Sequence, residues 1–251
     1  MRTVLLALVF VFAVSGAALP VIPFQLDPEQ VVRSLRDHRA VMPAADCTAL
    51  RIWACHPEDP RRVKDISLRW VQLDTDDALE AIVIGEGEAE RSNFAFIFDK
   101  TTTWNLVGSF SCRTYRCDVD RMIRVRQLTE DSPPLLIHYQ DLGGSGMVIF
   151  TNQAFHLRGG RLCPAFEVVT YDYFPLADPR MVIRRVGASA RCLVIHTMTE
   201  KPPGTSPQHS CEVWQWDARR YSFLPNAAER GKYCDGTSGK PIDDRFLSLL
   251  P

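Results

Sequence analysis

The chain has 251 residues, 46% of them apolar, with 29 basic against 30 acidic side chains and a net charge of −1. That apolar fraction excludes a disordered chain, and the length suits one large β domain or two small ones. The balanced charge, with no block of five like charges, leaves no field to select nucleic acid or an anionic membrane as partner.

Residues 1 to 18 have the three-part layout of a secretory signal peptide: Arg2, an apolar run from Val4 to Val14, then Ser15-Gly16-Ala17-Ala18 before Leu19-Pro20. Cleavage is expected after Ala17 or Ala18. An uncleaved anchor is the rival, but the run is short against the roughly 20 residues that span a bilayer. The chain is thus expected to be secreted or periplasmic, with membrane contact only if this segment is retained. All eight cysteines, Cys47, Cys55, Cys112, Cys117, Cys163, Cys192, Cys211 and Cys234, lie in the exported part. In an oxidising compartment they predict as many as four disulfides, and the paired Cys-x-x-Cys pattern of a zinc site is missing.

Residues 19 to 43 form a linker and a short helix. Asp27 is the expected N-cap, Pro28 the first helical residue and Gln30 the N3 position. Val31, Val32 and Leu35 share one face, and Arg33, Arg36 and Asp37 the other, so the helix packs one narrow stripe on a larger body and ends before Pro43.

From residue 44 to 251 the chain reads as a single mainly β domain. The segment 44 to 67 carries one strand around Leu50 to Trp53. In a straight strand Cys47 and Cys55 would lie roughly 26 Å apart, beyond the limit of about 7 Å for a disulfide. Cys112 and Cys117 flank Arg-Thr-Tyr-Arg, which can close a turn, so these two are expected to pair.

Four apolar runs follow, Trp70 to Leu73, Ala81 to Ile84, Phe94 to Phe98 and Trp104 to Phe110, separated by the polar turns around Asp74 to Ala78 and Asp99 to Thr103. Runs of this length, rich in Val, Ile, Phe and Trp, read as strands joined by hairpins. The pattern repeats. Ala81 to Ile84 corresponds to Leu135 to Ile137 and to Cys192 to Ile195, and Phe94 to Phe98 corresponds to Met147 to Phe150 and to Cys211 to Trp216. Final strands are expected at Ala154 to Leu157 and Arg220 to Leu224. Three antiparallel four-stranded meanders, about 66 to 112, 119 to 174 and 181 to 225, predict a partial or irregular β-propeller, with a C-terminal tail that covers an edge.

Asp74-Thr75-Asp76-Asp77-Ala78-Leu79-Glu80 before Ala81-Ile82-Val83 resembles the aspartate-rich hairpin of FG-GAP and VCBS repeats, the integrin-α-like propeller blades. The resemblance implies a calcium ion held by Asp74, Asp76 and Glu80. The loop here is two residues shorter than the family's, and Ala78 or Leu79 stands where the family has glycine.

Glu86, Glu88 and Glu90 are a further acidic run, and two carboxylates at a fixed separation are the machinery of glycoside hydrolysis. A secreted hydrolase using the Asp74 to Glu90 region is therefore an alternative reading. His138 and His196 follow equivalent apolar runs, a placement that suits a shared metal or acid–base site on neighbouring meanders. The Asp141 to Gly146 cluster has neither the Gly-x-Ser-x-Gly spacing of a nucleophile elbow nor a phosphate-loop ending, and reads as a connection. Trp214 and Trp216 are two apart and point to one side of a strand, as a binding platform or as core, whereas Trp70 and Trp104 read as core. The expected function is a non-catalytic binding or scaffold module recognising a protein or glycan, with a calcium-stabilised extracellular repeat as a further alternative.

Overall fold

The structure is a computed structural model and describes residues 27–37, 63–87, 93–111, 122–144, 147–174, 178–200 and 206–243. The signal segment, Cys47, Cys55, Cys112, Cys117, Glu88, Glu90 and the last residues of the tail lie outside them.

Helix α1 spans Pro28–Arg36, and the Asp27 carboxylate accepts from the Gln30 amide at 2.8 Å. This cap satisfies one of the four amides that a helix start leaves without an intrahelical partner. Val31, Val32 and Leu35 are buried.

The stripe on α1 lies on a four-stranded sheet of order β1-β2-β3-β4: β1 Val63–Val71, β2 Glu80–Gly87, β3 Phe94–Lys100 and β4 Trp104–Ser111. Ala81, Val83, Phe94, Phe96 and Phe98 pack against the helix. Ile82, Ile84, Ala95 and Ile97 point the other way, into a second core shared with Met122, Ile123, Leu136 and Leu157. The two central strands are thus covered on both faces, which is why they read as unbroken apolar runs without polar alternation.

The second sheet has eight strands, each antiparallel to its neighbour in sequence. They are β5 Ile123–Gln127, β6 Pro134–Gly144, β7 Met147–Leu157, β8 Leu162–Phe174, β9 Asp178–Ala188, β10 Cys192–Glu200, β11 Gln208–Asp217 and β12 Ser222–Pro225. Phe166 on β8 meets Trp214 and Phe223 at ring separations of 5.6 and 5.9 Å, so the sheet curls until β12 packs on β8. Among the described residues no ladder closes either sheet.

The first expected meander is the first sheet. The second and third are not separate: the β8–β9 ladder, Tyr171 opposite Ile183 and Tyr173 opposite Met181, joins them into one sheet. Met147 to Phe150 and Ala154 to Leu157, expected as two strands, are one 11-residue strand. Asp141 to Gly144 extends β6, with Gly143 opposite Val148, so the glycine-rich cluster belongs largely to a ladder.

The tail docks back as far as it is described. Cys234 forms a disulfide with Cys211 on β11, next to the short helix α2 at Arg230–Tyr233. Cys192, Val194, Val213 and Tyr233 pack around that bridge. Cys163 and Cys192 are free thiols, so the bridges fall short of the upper limit of four. Strand register explains part of this, because Cys163 faces His156 and Cys192 faces Gln215 across their ladders.

Candidate functional site

The connection between β1 and β2 carries the acids. Gln72 donates its side-chain amide to the carbonyl oxygens of Asp74 and Asp76, at 3.2 and 2.7 Å. Asp74 accepts from the Asp76 amide at 3.0 Å, and Asp76 from the Ala78 amide at 2.8 Å. Two successive turns of this kind, each closed by an aspartate side chain, wrap the loop around Gln72. No residue of the loop enters the left-handed region, so the turn forms without the family's glycine.

Strand register brings in a third acid. Ala81 pairs with Phe98, so Glu80 and Asp99, the next residue on each strand, turn to the opposite face with Ile82 and Ile97 and point between the sheets. Asp74, Glu80 and Asp99 each place a carboxylate oxygen within 4.8 Å of the others. Glu80 is 0% and Asp99 2% exposed. One Glu80 oxygen, Oε2, accepts from the Leu73 amide. Glu80 Oε1 and Asp99 Oδ1 are buried without a hydrogen-bond partner. The turn joining β7 to β8 closes the site from the second sheet, where a Cβ on Gly160 would lie 3.6 Å from Asp99 Oδ2.

Burial pushes the Glu80 carboxyl up to about 7, with Asp74 and Asp99 adding repulsion and the Leu73 amide opposing the shift. Asp99 is also raised, first by burial and then by Asp74 and Asp76. Each pair of like charges at about 5 Å repels by roughly 3 kcal/mol at an effective dielectric of 20. Among the described residues no Lys or Arg pairs with the three acids. Such a group can hold a cation or share a proton.

Of the acids that the resemblance implies, the structure brings together Asp74 and Glu80. Asp76 closes the loop, although its charge still reaches Asp99. Asp99 escapes sequence reasoning because it reads as part of a polar turn. Its one signal is an acid directly after the apolar run Phe94 to Phe98, an expensive position unless it has a partner. A carboxylate pair with a raised pKa resembles a hydrolytic acid–base pair. Both of these carboxyls are buried, and Glu86 is engaged by Lys64 at 2.8 Å.

Trp104 packs on the first core as expected, whereas Trp70 is the tryptophan that departs from expectation. Trp70 on β1 is 45% exposed and meets Trp104 on β4 at 5.6 Å with a 45° tilt. Lys100 Nζ lies 5.4 Å from the Trp104 ring centre. Both indoles come from edge strands, and the small, buried side chain of Ala81, opposite Trp70, leaves room for the two rings to meet. Trp216 is 8% exposed and packs on His156, Tyr221 and Phe223. Trp214 packs on Phe166 and donates to Glu212 at 2.9 Å. The rings of Trp214 and Trp216 are therefore engaged in the curled core. An open groove of about 590 Å³ runs beside the β11–β12 hairpin, lined by Gln215, Trp216, Asp217, Arg219, Leu224 and Asn226.

His138 and His196 do not share a site, since β7, β8 and β9 separate their strands. His138 lies 4.3 Å from Phe110, and burial pushes it down to about 4, against a hydrogen bond to Gln153 that raises it. His196 Nε2 contacts His209 Nδ1 at 3.1 Å.

No family model, curated protein or solved structure matches the chain. Fold and site together define a mainly β protein of two antiparallel meandering sheets with an acidic cluster at their junction. Among the described residues no helix is long and apolar enough to cross a membrane.

Proposed function

We propose that the protein is an exported, non-catalytic binding module that takes a glycan on the Trp70 and Trp104 end of its first sheet. One observation carries this reading: two tilted indoles meet at the surface, Trp70 nearly half exposed, with the Lys100 ammonium over Trp104. Tryptophan is normally among the more buried residues, and exposed aromatic surface marks a place where something docks. Leu79 is also exposed, and the turn before Trp104 carries Thr101, Thr102 and Thr103, held by the Asn105 amide, which donates to Thr101 and to the Thr103 carbonyl.

A glycan fits this surface better than a protein does. A sugar ring needs a flat aromatic face and a rim of hydrogen-bonding groups, whereas a stable protein interface uses roughly 20 to 30 residues a side. Export is supported by the N-terminal pattern of residues 1 to 18 and is compatible with the Cys211–Cys234 bridge. The chain is best read as three four-strand units, the second and third fused along β8 and β9, in a propeller-like arrangement that displays its hairpins as binding loops.

The test is tryptophan fluorescence and calorimetry of the full chain against neutral, amino-sugar and uronic-acid hexasaccharides. At least one class is expected to bind, with Trp70→Ala and Trp104→Ala each weakening it by roughly tenfold or more. Absence of binding to every class, or binding that survives both substitutions, would overturn the proposal.

A further inference from the structure

We propose that Asp74, Glu80 and Asp99 bind a single calcium ion where the first sheet meets the β7–β8 turn of the second. The observation that points to a ligand is separate from the clustering of acids. Glu80 Oε1 and Asp99 Oδ1 sit in fully buried side chains, have no hydrogen-bond partner, and belong to a group whose oxygens converge within 4.8 Å. Buried polar atoms in native proteins nearly always find a partner, and like charges on adjacent strands oppose pairing. Two such orphans, side by side with a third carboxylate, call for one positive species between them.

The donors select the ion. They are all carboxylate oxygens, which suit a hard cation, with no nitrogen or sulfur to favour zinc or copper. Magnesium demands near-ideal octahedral geometry, to which carboxylates fixed by one loop and two separate strands are poorly suited. Calcium accepts six to eight oxygens in irregular geometry, including bidentate carboxylates. Asp74, half-buried at the mouth, provides the entry side and room for water ligands.

The site differs from a contiguous calcium loop. Gln72 already occupies the centre of the 74–78 loop and takes the carbonyls of Asp74 and Asp76, while the Asp76 carboxylate closes on Ala78. The ion lies instead behind the loop, where Asp99 arrives from another hairpin.

The experiment titrates the chelator-stripped full chain with calcium chloride, and separately with magnesium chloride, by calorimetry and thermal melting. Calcium is expected to bind and raise the melting temperature, with magnesium weaker by roughly tenfold or more. Glu80→Gln and Asp99→Asn should each weaken calcium binding by roughly 100-fold, and Asp76→Asn by no more than about threefold. If Asp99→Asn does not fold, Asp74→Asn at the half-exposed mouth takes its place. At pH 6, calcium should release about one proton, read from the binding heat in buffers of different ionisation enthalpy. No binding and no melting shift at millimolar calcium would overturn the proposal and leave a shared proton as the missing partner. Equal losses in Asp76→Asn and Asp99→Asn would also overturn it, by returning the ion to the loop.

Discussion

The two sheets bury different ionisable groups. The first encloses the acids Glu80 and Asp99, whereas the second encloses His138 and His156 along with one partnered acid, Asp141. Burial favours the neutral form in both, so it pushes Glu80 up to about 7 and His138 down to about 4. The stability consequences have opposite signs. Between 4.5 and about 7 folded Glu80 keeps a proton that the unfolded chain has lost, so its contribution is complete below 4.5 and disappears as pH rises through 7. Between about 4 and 6.5 the unfolded chain protonates His138 while the folded chain does not, so that contribution disappears as pH falls. Where the windows overlap the slopes offset each other, and a flat pH profile would conceal two strained sites.

Four measurements break or sharpen this contrast. The largest effect is expected where the first sheet is covered on both faces. Phe96→Ala removes a fully buried ring from beneath α1 and should destabilise by roughly 3 to 5 kcal/mol in urea titration. A loss below about 1 kcal/mol would mean that helix and sheet are not one packed unit.

The second sheet is instead fastened covalently at its far end. Replacing both Cys211 and Cys234 by serine should lower stability by roughly 2 to 4 kcal/mol, the range for a loop of 23 residues, with the difference abolished in reductant.

The pH contrast is tested by removing one partner at a time in calcium-free buffer. Glu80→Gln should expose the histidine slope, a gain of up to roughly 3 kcal/mol from pH 4 to 6.5. His138→Phe should expose the opposite slope, a loss of similar size from pH 4.5 to 7. If both variants follow the wild-type profile, neither group is buried as described. The smallest effect is the helix cap: Asp27→Ala should cost about 1 kcal/mol, with the change confined to the first sheet in amide exchange.

The first sheet was largely legible in the sequence because double-sided burial writes each strand as an unbroken run, such as Phe94 to Phe98. Helix α1 was legible for a different reason, since its cap and stripe are local features. The second sheet was harder. Thr151, Asn152 and Gln153 interrupt the apolar runs of β7 and read as a turn, yet they lie mid-strand, with Asn152 buried opposite Tyr139 and Val168. Polar residues inside a strand carry no mark that separates them from a hairpin. Asp74 and Glu80 could be picked out together because they share one loop, but Asp99 joins them through register between two strands, which composition does not encode. Tryptophan likewise reads as apolar wherever it stands. Whether it is buried depends on strand order, which exposes Trp70 at an edge and encloses Trp216 in the curl.

Among the described residues, every ladder in both sheets joins strands that are consecutive in the chain. The molecule is therefore put together by short local closures, each hairpin giving the next strand an edge on which to dock. Loop closure of this kind carries a small entropic cost, and folds dominated by local contacts form faster than β proteins with distant pairings. Assembly can proceed in the order in which the chain is made, from β1 towards β12. The return of Cys234 to Cys211 comes late in that order and fastens strands that have already met.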